Sequence, residues 1–276
     1  MITRHLLDIE GQYWHYRKAG AGPVVFLLHA SPRNSAMFCP LMELLSPYFT
    51  VVAPDTPGYG LSDALPSQPN TLGDYLPYFK KFFDQIAPSG TPFAVYGTAT
   101  GAQLGIAYAY TYADDVRHLY LDNAAHFEDA ARNEIVQHYF PDLSPQADGS
   151  HFQQVWKMAS GFFNYFPWFK NDEAHRVSTY APTLGMIHTA AMEFLGAPHY
   201  AAAYKAAFEH EKAENLAKVT APTTLFRWKG AILLPYIDDL IQSGLNPNVQ
   251  VVETEAPAAE RYAGIVARMK NTVSEV

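Results

Sequence analysis

The chain has 276 residues, of which 49% are hydrophobic and 17% are charged, and its formal net charge is −8 at pH 7. This length and apolar content are sufficient for a full-sized core in one large domain, and they exclude a disordered chain. The acidic balance, without a cluster of Lys and Arg, argues against nucleic acid as a partner.

The single cysteine, Cys39, cannot form an intramolecular disulfide, which favours the reducing cytoplasm. The N-terminal stretch has no apolar core behind a basic start, so it does not look like a secretory signal. The longest apolar runs, such as PVVFLLHA, are far shorter than the roughly 18 residues that span a bilayer. We therefore expect a soluble, cytoplasmic protein with no membrane partner.

Strand and helix patterns alternate through the first half of the chain. HLLDIEGQYWHYRKAG alternates apolar and polar residues and predicts a hairpin that turns at Gly11. Four short apolar runs end in turn residues, as strands buried on both faces of a parallel sheet do: GPVVFLLHASP, TVVAPDTPGYGLSD, PFAVYG and RHLYLDNA. Helical patterns separate them: NSAMFCPLMELLSPYF, TLGDYLPYFKKFFDQI and TGAQLGIAYAYTYADDV. This alternation predicts an α/β fold with a mostly parallel sheet flanked by helices.

The second half begins with a different pattern. From about Phe127 to Asn215 the chain is helical in pattern and rich in aromatic residues, most densely in FFNYFPWF. APTTLFRW and NVQVVETEAP then restore the strand pattern, and ERYAGIVARMKNTV predicts a closing helix. We predict a core formed by residues 1–126 and 216–276, with a helical, aromatic-rich lid inserted at residues 127–215.

Three motifs, in the expected order, resemble those of the α/β-hydrolase superfamily. VVFLLHASP resembles the family's strand and oxyanion loop, usually written H-G-x-P, with His29 and Pro32 in the places of the histidine and the proline. VVAPDTPGYGLSD resembles the segment A-P-D-x-P-G-x-G-x-S, and VYGTATGAQLG resembles the sharp turn G-x-S-x-G that carries the nucleophile. The resemblance implies the α/β-hydrolase fold, with a site at the carboxyl ends of the strands.

The family's Ser-His-Asp triad has no counterpart at the expected places in this sequence. Ala99 stands at the serine position, between Gly97 and Gly101. RWKGAILLPY has apolar residues where the family has its acid, and no histidine follows His210. Three independent losses are harder to explain by engineering than by divergence, so we expect Ala99 to be natural and the chemistry to be different.

Polar residues that the resemblance places around the cleft remain as candidates. In the catalytic interpretation Asp122 orients His126, and Glu260 supplies a carboxylate near the place of the family's late histidine. The competing interpretations are a capping Asp, a surface His and a solvated helix start. The backbone N–H of Thr100 is expected to help form an oxyanion hole, because this role needs no side chain. The predicted substrate-binding residues are His29, Ser31, Arg33, Asn34, Thr98, Ala99, Thr100, Arg227, Trp228 and Arg261.

Three functions are compatible with these features. The first is an enzyme, a lyase, isomerase or atypical hydrolase, that acts on a small carbonyl or ester-like, partly aromatic substrate by acid/base chemistry and an oxyanion hole. The second is a non-catalytic, ligand-binding pseudohydrolase, and the third is an engineered serine-to-alanine form, at Ala99, of a hydrolase. The sequence has no dinucleotide or phosphate-loop pattern and no metal-ligand spacing among its histidines, so we predict no cofactor and no metal. A small molecule is the expected partner, and a homo-oligomer remains open.

Overall fold

The computed structural model describes residues 1–177 and 181–274, and its strands join into one eight-stranded sheet. The strands are β1 (Thr3–Ile9), β2 (Gln12–Ala19), β3 (Val24–Leu28), β4 (Thr50–Pro54), β5 (Phe93–Thr98), β6 (Val116–Asp122), β7 (Thr223–Trp228) and β8 (Val249–Thr254). Their order across the sheet is β1-β2-β4-β3-β5-β6-β7-β8. The β1–β2 hairpin joins the edge of β4 in antiparallel fashion, and all the other pairs are parallel. The predicted mostly parallel α/β sheet is therefore confirmed.

Both faces of the sheet are covered. Along β3, Phe26 and Leu28 pack into the core on one face, and Val25 and Leu27 pack into the core on the other. Because neither face meets water, the central strands are continuous apolar runs, without polar alternation. The helices are α1 (Cys39–Leu45), α2 (Leu76–Ile86), α3 (Thr100–Thr111), α4 (Asp129–His138), α5 (Ser150–Phe162), α6 (Leu184–Leu195), α7 (Ala201–His210), α8 (Ala213–Leu216), α9 (Leu234–Gln242) and α10 (Ala258–Ser274). Within the described ranges, none of them is long and apolar enough to cross a membrane.

Two helices differ from the sequence prediction. The predicted helix that starts at Thr71 begins five residues later, because Thr71 and Asp74 form a capping box around a separate short 3₁₀ turn. Pro77 then occupies the first turn of α2, where its missing N–H costs nothing. Helix α9, between β7 and β8, was not predicted, since LPYIDDLIQ is too short to show a clear helical period.

Helices α4 to α8 follow one another between β6 and β7, in the part of the chain predicted to be helical; residues 123–222 are called the helical segment below. Aromatic rings hold this segment together, for example those of Tyr139 and Phe208, whose centroids are 5.2 Å apart. The segment also contacts the core directly, because His210 Nδ1 donates to Oε1 of Gln103 in α3 (2.8 Å). This contact places the end of α7 beside the start of α3.

Helix α3 lies directly on the sheet because its first turn carries glycine. A Cβ on Gly101 would lie only 2.0 Å from the carbonyl oxygen of Leu28 in β3, and a Cβ on Gly97 would lie 2.2 Å from the carbonyl oxygen of Gly101. Only residues without a side chain allow this approach of backbone to backbone. The two glycines thus fix the turn between β5 and α3.

We predict that Gly101→Ala lowers the free energy of unfolding by about 2 kcal/mol or more, since the new methyl group meets backbone that cannot move aside. Gly185→Ala is the matched control, because Gly185 is also the second residue of a helix but its nearest neighbour, Thr183 Oγ1, would be 3.9 Å away. This control should gain up to about 1 kcal/mol from helix propensity. Equal effects of the two substitutions in urea unfolding would contradict the packing described here.

Candidate functional site

The turn between β5 and α3 has a strained backbone, although Ala99 at its centre carries no nucleophilic group. Ala99 has φ +49° and ψ −115°, a conformation that costs a non-glycine residue about 1–3 kcal/mol. Its N–H donates to the carbonyl oxygen of Asp122 (3.0 Å), and its own carbonyl accepts from Gln103 N–H (3.1 Å). The N–H groups of Thr100 and Gly101 precede this helical hydrogen bond, so they form the electropositive start of α3.

A cavity of about 250 Å³ opens at this turn. One part of its wall comes from the loops that follow the strands, and the other part comes from aromatic residues of the helical segment. The lining residues are Ala30, Ser31, Arg33, Met37, Thr98, Ala99, Thr100, Asn123, Tyr139, Phe162, Phe163, Phe166, Tyr204, Ala207, Phe208, Glu211, Trp228, Ile232, Leu233 and Arg261.

A buried ion pair places a cation on the cavity wall. Arg261 Nη2 donates to Asp122 Oδ2, which also accepts from the Tyr96 hydroxyl (2.5 Å). Asp122 is fully buried, and the Arg261 guanidinium lies 4.0 Å from the ring centroid of Trp228. Burial disfavours the charged guanidinium, but the charge of Asp122 outweighs burial and raises the pKa of Arg261. The cavity wall therefore carries a guanidinium that is paired with the carboxylate of Asp122.

The loop after β3 contributes a hydroxyl and a second cation. The N–H of Ser31 donates to Thr100 Oγ1 (3.3 Å), which ties this loop to the turn. Ser31 Oγ is buried beside the Tyr59 hydroxyl, which donates to the carbonyl oxygen of Tyr200 (2.5 Å) and has the Ser31 side chain as a second polar neighbour. Arg33 Nε lies 2.6 Å from Glu193 Oε2 in α6. Ser31 and Arg33 both line the cavity.

Glu211 is a buried carboxyl group on the cavity wall, just after α7. Only 3% of the residue is exposed, and its Oε2 has no hydrogen-bond partner among the described residues. The neighbouring Arg132 donates to the backbone carbonyl oxygens of Phe127 and Glu211 and to the carboxylate of Asp129. Burial raises the pKa of Glu211 well above its usual value, and the charge of Arg132 offsets this rise only in part. Burial therefore favours the neutral form of Glu211, which can donate a proton.

The rest of the wall suits an apolar ligand body. The Tyr139 and Tyr204 hydroxyls are 3.0 Å apart and hydrogen-bonded to each other, and burial raises the pKa of both groups. Four phenylalanines complete this part of the wall: Phe162, Phe163, Phe166 and Phe208. A small molecule with an aromatic or aliphatic body is the chemistry that such a wall accommodates.

Three predicted binding residues lie outside the cavity wall. His29 is engaged at both ring nitrogens, accepting from Thr56 N–H (2.8 Å) and donating to the carbonyl of Ala30 (2.9 Å), and burial lowers its pKa. Asn34 caps a short 3₁₀ turn through Oδ1, and Arg227 pairs with Asp238 (2.6 and 2.8 Å). These side chains support the loops and strand ends that surround the site.

The three residues predicted to be catalytic do not come together. His126 Nδ1 accepts from the N–H of Ala213 (3.2 Å), and its Nε2 lies 3.6 Å from the exposed Glu128. Glu260 is exposed in the first turn of α10, whereas Asp122 is buried behind Arg261. No histidine is found among the lining residues in the described part of the chain. The arrangement of an acid that orients a histidine is therefore absent from the described cavity wall.

The other predicted residues do line the cavity: Ser31, Arg33, Thr98, Ala99, Thr100, Trp228 and Arg261. Sequence reasoning missed Glu211, because EHEKAEN resembles any solvated helix end and gives no sign of burial. It also noted Asp122 and Arg261 separately, without pairing them. Within residues 1–177 and 181–274, no three His, Cys, Asp or Glu residues are arranged to hold a metal ion.

The sequence also matches a known protein family. The model of the α/β hydrolase fold family matches residues 23–230, which is more than half of the chain, so the chain belongs to this family. A curated relative, 2-(acetamidomethylene)succinate hydrolase of Mesorhizobium japonicum, is 35% identical over 116 residues, which are 42% of this chain and 40% of that protein. Haloalkane dehalogenase 2 of Mycobacterium bovis is 28% identical over 109 residues, 40% of this chain and 37% of that protein. Each match thus spans well under half of the relative's length.

Solved structures extend the likeness to the whole chain. A variant of the epoxide hydrolase of Solanum tuberosum has a TM-score of 0.75 and 18% identity, with all of both chains covered. An epoxide hydrolase of Vigna radiata has a TM-score of 0.73 and 17% identity, over 100% of this chain and 98% of that one. At these identities the likeness shows the fold alone.

The Asp122–Arg261 pair gives a stability prediction. Asp122→Asn removes the counter-charge of a buried guanidinium, so we expect a loss of about 3–5 kcal/mol in the free energy of unfolding. Glu253→Gln is the control, because Glu253 forms an exposed ion pair with Arg227 (3.0 Å), and its loss should be below about 1 kcal/mol. Urea unfolding of the two variants checks this, and similar small losses would show that the buried pair is not a structural requirement.

Glu211 gives a pH prediction. Because its folded-state pKa is raised above the ordinary 4.5, the unfolded chain releases this proton first. Its contribution to stability is therefore complete below about pH 4.5 and is lost as the pH rises toward the folded-state pKa, by about 1.4 kcal/mol per pKa unit of elevation. Glu211→Gln cannot titrate, so its stability relative to the wild type should increase between pH 5 and pH 8.

The matched control for this pH prediction is Glu209→Gln, at an exposed position of α7 two residues before Glu211. Its stability relative to the wild type should stay constant over the same range. A Glu211→Gln profile parallel to that of Glu209→Gln would mean that Glu211 is ionised in the folded protein.

Proposed function

We propose that this chain is an enzyme that transfers a proton next to the carbonyl group of a small, partly aromatic compound, without a serine nucleophile. Membership of the α/β hydrolase fold family supports an enzymatic role. The observation that carries the proposal is the presence, in one cavity, of an intact nucleophile turn with Ala99 and of a buried Glu211 carboxyl. The first can stabilise an oxyanion, and the second can supply a proton.

The carbonyl oxygen of the substrate is held at the turn. The Thr100 N–H and the Ser31 hydroxyl are donors there, and the start of α3 adds a positive potential. Such donors stabilise negative charge that develops on oxygen during the reaction, typically by about 3–4 kcal/mol for one donor. They work equally well for an enolate and for the tetrahedral intermediate of a serine enzyme, so they remain useful with alanine in place.

Glu211 transfers the proton. In the direction from enol to ketone, its carboxyl proton forms the new C–H bond, the electron pair of the C=C bond moves to that carbon, and the oxygen becomes a carbonyl. The proton released by the enol oxygen then restores the Glu211 carboxyl, so atoms and charge balance. The raised pKa of Glu211 favours its protonated form, which a proton donor requires.

The substrate is limited by the size and chemistry of the cavity. A volume of about 250 Å³ with phenylalanine walls accommodates one ring and a short side chain. One relative is a hydrolase named for a compound with amide and carboxylate groups, which supports a small carbonyl substrate. The single Cys39 supports the cytoplasm as the place of action.

A second candidate is a ligand-binding protein without turnover. It is favoured by the methyl group of Ala99 at the nucleophile position and by the lack of histidine among the described lining residues. The same observations weigh against an engineered hydrolase, since a serine restored at position 99 would find no histidine on the described cavity wall.

Proton exchange with phenylpyruvate tests the proposal. This probe has a ring, a carbonyl and an exchangeable C–H group, and NMR in deuterated water follows deuterium uptake at the carbon beside its carbonyl. We expect the protein to accelerate uptake, Glu211→Gln to lose at least about 100-fold of that rate, and Glu209→Gln to keep it. An equal loss of the deuterium-uptake rate in both variants would contradict the role of Glu211.

Two other outcomes would replace the proposal. Binding of the probe without any acceleration would favour the ligand-binding protein. Gain of aryl esterase activity by Ala99→Ser would favour a hydrolase whose serine has been replaced, whereas we expect no gain.

A further inference from the structure

We propose that the space beside Ala99 holds a carboxylate group of the ligand, bound by Arg261. The inference concerns the cavity of the proposed function and rests on it for the carbonyl group. It narrows the substrate class to a small carboxylic acid with an apolar, partly aromatic body, in which the carboxylate lies beside the carbonyl, as in a 2-oxo acid.

Arg261 has hydrogen-bonding capacity left for such a group. A guanidinium carries five N–H donors in a planar fork that matches the two oxygens of a carboxylate. Nη2 is used by Asp122, and Nε is buried and has no hydrogen-bond partner within the described residues. Trp228 stacks against the guanidinium and limits its movement. The side chain is therefore held in place with donors that the protein does not satisfy.

Asp122 brings Arg261 to the turn. Its backbone carbonyl accepts the Ala99 N–H (3.0 Å), while its carboxylate accepts from Arg261. Ala99 and Arg261 both line the cavity. The methyl group of Ala99 leaves free the part of this cavity that a longer side chain would occupy.

The charges on the wall favour an anion. The lining residues with carboxyl, guanidinium, ammonium or imidazole groups, in the described part of the chain, are Arg33, Arg261 and Glu211. Burial raises the pKa of Glu211 and so disfavours its anionic form, whereas each arginine has one acidic partner outside the wall. The start of α3 adds its partial positive charge at the same place. The Ser31 hydroxyl, on a residue that is 3% exposed and lines the cavity, is a further donor for a bound acid.

A carboxylate placed by mutation tests the site without any ligand. Ala99→Asp puts an anion beside Arg261, and Ala99→Asn puts a neutral group of the same size and shape there. We expect the melting temperature of the Asp variant to exceed that of the Asn variant by at least about 2 °C at pH 7. An Asp variant that melts at the same temperature as the Asn variant, or below it, would contradict an anion site at this position.

Binding of two matched probes tests the ligand class. Phenylacetate and phenylacetamide have the same shape and differ in charge, and calorimetry measures their dissociation constants. We expect the wild type to bind phenylacetate at least about 10-fold more tightly, because a charged pair with Arg261 replaces a neutral contact. Equal binding of the two probes would overturn the inference.

Two variants test whether the preference for phenylacetate over phenylacetamide arises at the proposed site. Ala99→Asp should abolish the preference for phenylacetate, because its own carboxylate occupies the site. Arg261→Lys keeps the charge opposite Asp122 but loses the planar fork, so the preference should fall several-fold while the variant stays folded. An unchanged preference in both variants would place the carboxylate elsewhere and contradict the inference. These outcomes are independent of proton exchange, so either proposal can fail while the other stands.

Discussion

The ion pair between Asp122 and Arg261 joins the sheet, the nucleophile turn and the last helix. Asp122 ends β6 and Arg261 belongs to the first turns of α10, 139 residues later in the chain. The same aspartate fixes the turn through its backbone, because its carbonyl accepts the N–H of Ala99. A fully buried carboxylate tolerates this position only with strong partners, and Tyr96 and Arg261 supply them.

The ion pair between Asp122 and Arg261 also determines which groups the site offers to a ligand. In a serine enzyme of this fold a histidine would mediate between the acid and the nucleophile, whereas here the buried acid is used to hold a cation. The turn keeps its positive φ and its glycines although Ala99 cannot attack a substrate. What remains useful in such a turn is its backbone, which offers N–H donors at the start of α3 and needs no reactive side chain.

The sequence was a good guide where the structure depends on local patterns. The buried strands β3 to β6 are continuous apolar runs, and Gly97 and Gly101 mark the turn because only glycine allows that close approach. It was a poor guide where a property arises from distant parts of the chain. Burial raises the pKa of Glu211, and nothing in the neighbouring sequence shows that this residue is buried. His126 and Glu260 looked suitable by position, yet one is bonded to the backbone of Ala213 and the other faces solvent.

In the proposed function, the turn at Ala99 binds an acid and its carbonyl group without a covalent bond. A crystal structure of the protein soaked with phenylpyruvate would show this binding. We expect a carboxylate within hydrogen-bond distance of Arg261, a carbonyl oxygen beside the Thr100 N–H and the Ser31 hydroxyl, and the ring among the phenylalanines. A ligand covalently attached to the protein, or one bound with its ring at Arg261 and its carboxylate in solvent, would contradict it.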